Sequence, residues 1–180
     1  MLDILFKKKV TEEQLATHFV NGVIQLVDQG FPEAVEIINS DTSLITSPKI
    51  DTNNSDEFLI IVMAGNLKLV AEHFNDYRDV RLINWILKKL ASTFEMSAED
   101  LKLLISNYQS YLSRVNHPSK NTLYAMSRAV FYKYDLNQHQ AEYFRNMKTP
   151  NPILLKNLDQ IMENFIWHWG DLKEKYRIAK

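Results

Sequence analysis

Residues 55–74, SDEFLIIVMAGNLKLVAEHF, decide how the rest of the chain is read. Ser55 stands where a helix cap is favoured, and Asp56 and Glu57 follow at the end where a helix dipole welcomes negative charge. Apolar residues then recur too densely for a single face: Phe58, Leu59, Ile60, Val62, Met63, Leu67, Leu69, Val70 and Phe74. A helix apolar almost all round has to be covered on all sides, which is the signature of the central element of a helical bundle. The spacing predicts that this helix runs to about Asn75.

Outward from that segment the apolar period stays helical, and the punctuation is made of caps rather than hairpin turns. Thr11-Glu-Glu-Gln14 matches a capping box and opens a helix read as ending at Gly30. Phe31-Pro32-Glu33 then starts a second, with proline in its first turn, reaching Asn39. Residues 40–55 are polar, with Leu44, Ile45 and Ile50 as their only anchors, and form the longest loop and the best candidate for mobility. Further helices are predicted over residues 79–93, from Ser97 to just before Asn116-His117-Pro118, from Ser119 or Asn121 to Tyr134, a short one through Met147, and a last one from Pro152 towards Ile178. The expectation is an all-α, single-domain bundle of about seven helices spanning residues 1–180, a length that supports one full hydrophobic core.

Composition removes several function classes. Cysteine is absent, so disulfides, thiolate zinc sites, iron–sulfur clusters and cysteine nucleophiles do not arise. Four glycines form neither G-x-G-x-x-G nor a P-loop, and the five histidines (His18, His73, His117, His139, His168) give no Glu-x-x-His, His-x-x-x-His or His-Glu-x-x-His spacing. No cofactor, no metal site and no catalytic motif follows from the sequence. The longest apolar run, residues 58–64, has seven residues, against the ~18 needed to span a bilayer. The N-terminus places its apolar residues before its lysines, the wrong order for a secretory signal, so the expected location is the cytoplasm. Leu2, Ile4, Leu5 and Phe6 beside Lys7, Lys8 and Lys9 also make a peripheral lipid contact conceivable. Fifteen asparagines, and fifteen lysines against six arginines, suggest an AT-rich bacterial source.

Two tryptophans stand on the wrong side of their helices. In residues 79–93, Val80, Ile83, Ile86, Leu87 and Leu90, followed by Phe94, share one face, and Trp85 lies on the polar one, a turn from both Arg81 and Lys89. In the last helix the expected stripe is Leu155, Leu158, Met162, Phe165, Trp169, Leu172 and Tyr176, with Trp167 opposite it between Glu163 and Asp171. Tryptophan is a preferred interface anchor, so the leading reading is a protein-binding module working through Trp85, Arg81, Lys89 and Trp167, with a second copy of the chain as one such partner. The alternative is a small-ligand or catalytic pocket at Asn66 and His73, polar residues seven apart on the apolar helix, each needing a hydrogen-bond partner of its own.

Charge supplies a third reading. Nine Lys/Arg and sixteen Asp/Glu fall in residues 1–100, against twelve and six in residues 101–180, so a net charge of −1 hides an acidic first part and a basic second. Tyr124, Arg128, Phe131, Tyr132 and Lys133 interleave rings and cations as an RNA-stacking surface would. Near-neutrality of the whole chain weakens phosphate attraction, which makes nucleic acid the least favoured of the three.

Overall fold

The computed structural model describes residues 7–74 and 77–178. Its elements follow in the order β1 (Lys8–Val10), α1 (Glu12–Asn39), α2 (Asp56–His73), α3 (Arg78–Thr93), α4 (Ala98–Val115), α5 (Thr122–Lys133), a 3-10 turn (Leu136–His139), α6 (Glu142–Met147), α7 (Pro152–Glu163), α8 (Trp169–Lys175) and β2 (Tyr176–Ile178). The architecture is an all-α bundle of eight helices among the described residues. Its centre is α2, which packs against α1, α3, α4, α5 and α8. Residues 61–67 of α2 are buried without interruption, as a helix apolar on every side requires.

Thr11 caps α1 by the predicted box: its hydroxyl accepts the Gln14 N–H at 3.1 Å, and Gln14 Oε1 accepts the Thr11 N–H at 3.0 Å. Ser97, Asn121 and Asn151 cap α4, α5 and α7 without the reciprocal half of a box, their side chains accepting the N–H of Asp100, Tyr124 and Ile153. Ser55 precedes α2 but does not cap it, because its backbone is already helical (φ −90°, ψ −6°) and capping requires an extended residue there.

Where two helices were expected over residues 11–39, there is one of 28 residues with Pro32 inside it. An interior proline forfeits a hydrogen bond and crowds the preceding turn, at a cost of about 3 kcal/mol. The apolar stripe explains why the helix continues. Val20, Val23 and Val27 are followed in phase by Phe31, Ala34, Val35 and Ile38, all buried, so breaking the rod would expose its second half.

The loop over residues 40–55 is tied down at several points. Asn39 donates to the Ile50 carbonyl and accepts its N–H, Ile45 N–H donates to the His139 carbonyl, and the Tyr134 hydroxyl donates to the Asn54 carbonyl. Of the three anchors, Leu44 is buried and Ile50 packs on the core, whereas Ile45 points outward. Asp41 accepts from the Ser43 N–H and hydroxyl and, at 2.8 Å, from Asn157 on α7. Burial alone would raise the Asp41 carboxyl, but the hydrogen bonds from Ser43 and Asn157 outweigh it and hold the group below its usual range. A lowered folded-state value contributes stability above the unfolded value, and that contribution is lost as pH falls through the folded one. Asp41→Asn should therefore lower Tm at neutral pH, and the gap from wild type should close in thermal scans below about pH 4.

The chain was expected to stay helical from Pro152 to about Ile178. Instead α7 stops at Glu163, and α8 begins only at Trp169. Residues 165–169, Phe-Ile-Trp-His-Trp, carry four large apolar side chains around a helix circumference, more than one face can bury. By unwinding, the chain buries Phe165 and Trp169 fully and half-buries Ile166 and Trp167. Arg177, expected within that last helix, lies instead in β2, which pairs in parallel with β1 in the register Lys8 with Tyr176, Lys9 with Arg177 and Val10 with Ile178. The apolar residues of the lipid-contact reading, Leu2 to Phe6, lie outside the described residues.

Candidate functional site

The polar atoms of one buried side chain organise the break between α7 and α8. Asn66 is fully buried on α2, and its Nδ2 donates to the Phe165 carbonyl and the Val62 carbonyl, each at 2.9 Å. Its Oδ1 accepts the Trp167 N–H at 2.7 Å, so backbone groups released by unwinding find partners in the interior. The Trp169 indole N–H reaches the Asn66 carbonyl at 3.4 Å, and its ring stacks on Phe19 at 4.7 Å.

This arrangement lays the Trp167 ring across α1. Gly22 admits it: a Cβ there would lie 2.7 Å from Trp167 Cζ3, closer than packed carbons come. Phe19 and His18 meet the ring edge-on at 5.6 and 5.7 Å. On the outer side a cleft of about 580 Å³ remains, walled by Leu26, Ile166, Trp167 and Leu172 and rimmed by His18, Glu163, His168 and Asp171. The sequence had set Trp167 between Glu163 and Asp171 on a continuous helix. The three do meet, but around this cleft, across a break in the helix. Trp167 Nε1 is sealed from solvent and has no acceptor among the described residues.

Trp85 occupies a separate place on the other flank of α1. It is half-buried and packed on the core, and a cleft of about 180 Å³ lies over it between Glu13, Thr17, Lys88, Lys89 and Ser92. The cation on its ring is Lys88, 5.0 Å from the centroid, rather than the expected pair of Arg81 and Lys89. Arg81 is engaged elsewhere: its Nε and Nη2 form a fork on the Glu12 carboxylate, with a shortest contact of 2.8 Å, which raises its pKa. The buried face of α3 is Leu82, Ile86, Leu90 and Ala91, with Val80 half-exposed, because the helix is turned towards α1. On α1, exposed Gln14, Asn21 and Gln25 lie between the residues facing Trp85 (Glu13, Thr17) and those facing Trp167 (His18, Gly22, Leu26).

The other candidates are dispersed. His73 is half-buried at the end of α2, where its carbonyl accepts from Lys173 Nζ, and neither it nor Asn66 lines the clefts over Trp167 and Trp85. In α5, Phe131 is fully buried, Tyr132 bonds the Lys148 carbonyl, and Arg128 Nε is enclosed, so rings and cations do not form one open platform. Lys133 instead joins Glu57 and Tyr108 in a cluster tying α2, α4 and α5, with the Tyr108 hydroxyl donating to Glu57 at 2.5 Å and Lys133 3.2 Å from both. Among the described residues no helix is long and apolar enough to cross a membrane, and no group of three His, Asp or Glu is placed to hold a metal ion.

No family model matches the chain, and no significant match was found among curated proteins or solved structures. The sequence pointed to Trp167 by its offset from the stripe. It gave no signal for Leu26, Ile166 and Leu172 as walls of a shared cleft, because residues on α1 and α8 come together only through the break that Asn66 holds.

Proposed function

We propose that this bundle is a protein-binding module whose partner inserts an apolar side chain into the cleft over Trp167. The observation that carries the reading is a half-exposed tryptophan forming the wall of a concave apolar site, the setting in which binding energy concentrates. Glu163 and Asp171 on the rim favour a partner carrying a cation beside its apolar anchor. The smaller cleft with Trp85, Lys88 and Lys89 lies on the far flank of α1, where a partner crossing that helix would reach it.

The test places a photocrosslinking phenylalanine analogue at Leu26 in the full chain and irradiates living cells. A discrete protein adduct that disappears with Asp171→Lys supports the reading; adduct mass identifies either another protein or a second copy. Absence of any adduct from position 26, in a variant whose far-ultraviolet dichroism matches wild type, overturns it.

A further inference from the structure

The parallel pairing of β1 with β2 brings together two basic tracts from opposite ends of the sequence. Residues 7–10 are Lys-Lys-Lys-Val and residues 173–178 are Lys-Glu-Lys-Tyr-Arg-Ile, so six cations share this small region with one carboxylate, Glu174. Lys9 and Arg177 are register partners and both are exposed. Side chains of paired residues share a face of the ribbon, and like charges placed so are destabilising. The opposite face holds Val10, Tyr176 and Ile178, which are half-buried, so Lys9 and Arg177 point away from the body. Lys173 is occupied with the His73 carbonyl, Lys7 donates to the Lys173 carbonyl, and Lys175 stands 5.5 Å over the Tyr176 ring. Among the described residues none of the six takes part in an ion pair.

We infer that this ribbon is an anionic-membrane contact, with Lys9 and Arg177 facing lipid phosphates and exposed Lys8 and Lys175 at its margins. A cation near an anionic bilayer surface contributes about 1 kcal/mol, and a basic patch anchors best beside an apolar element. The residues directly before Lys7 supply that composition, with Leu2, Ile4, Leu5 and Phe6 against one acid, Asp3. They favour lipid over RNA, since three of the four are aliphatic and give phosphates and bases little to bind. The structure adds Lys175 and Arg177, which the N-terminal sequence alone would not place there.

Co-sedimentation of the full chain with phosphatidylcholine vesicles, with and without phosphatidylglycerol, tests this. Binding should require phosphatidylglycerol and fall steeply with salt. Arg177→Gln should weaken it about fivefold and Lys9→Gln with Arg177→Gln about twenty-five-fold, while Lys102→Gln on α4 leaves it unchanged. No partition at low salt, an Arg177→Gln variant that binds like wild type, or retention on polyuridylate with no preference for charged vesicles would each overturn the assignment. Because the cleft over Trp167 is not involved, Asp171→Lys separates this result from the one above.

Discussion

Asn66→Ala is expected to lower the free energy of unfolding by about 3–4 kcal/mol, seen as a shift of the urea midpoint at unchanged slope. Three polar contacts are lost, but they do not count equally. The Val62 carbonyl lies four residues back in the same helix, so it keeps the backbone N–H of position 66. The Phe165 carbonyl and the Trp167 N–H have no such reserve, since they belong to the unwound segment and have Asn66 as their partner. Leaving a buried polar group unpaired costs about 1–3 kcal/mol, and here two are left at once. Asn66→Asp separates polarity from shape. It keeps the acceptor for Trp167 but turns a second acceptor on the Phe165 carbonyl and buries a charge. It should be as destabilising as alanine at neutral pH and recover towards wild type in acid, where the protonated carboxyl donates again. A loss below about 1 kcal/mol for alanine would mean that the segment is held by its aromatic packing alone.

How far the fold could be read from the sequence follows from which forces are local. Capping is local: Thr11 and Ser97 cap where their chemistry predicted, Asn121 takes the start left open between it and Ser119, and Ser55 fails because its backbone is already helical. The centrality of α2 was legible too, because a rod with no polar side has only one place to go. Pro32 misled because a local penalty was set against a stripe whose burial depends on the whole molecule. The break after Glu163 carries no glycine or proline at its start, and it is held by Asn66, roughly a hundred residues away. Three-residue strands are too short for an alternation to register, and β1 and β2 pair across nearly the full length of the chain. The candidate site inherits that limit. Trp167 announced itself by its position, whereas the cleft around it depends on a contact no spacing encodes.

That contact can be tested from the α1 side. Gly22→Ala is expected to destabilise the protein by about 2 kcal/mol, although alanine is the better helix former by about 1 kcal/mol, because the new methyl overlaps a rigid ring. The comparison is Gly65→Ala, where the added methyl would meet the side chain of Met126. A thioether chain has several torsions through which to yield, but the indole has two and is held at its backbone by Asn66. Relief at Gly22 therefore comes by swinging Trp167 outward, away from Phe19 and into the cleft it walls. The fluorescence of Gly22→Ala should then shift to the red and become more accessible to acrylamide, a change absent when Trp167→Phe is combined with it. The same movement fills the space a partner would enter, so crosslinking from position 26 should fall together with the spectral shift. An unshifted spectrum with an undiminished adduct would show that α1 moves instead of the indole, and would make Gly22 a feature of helix packing alone.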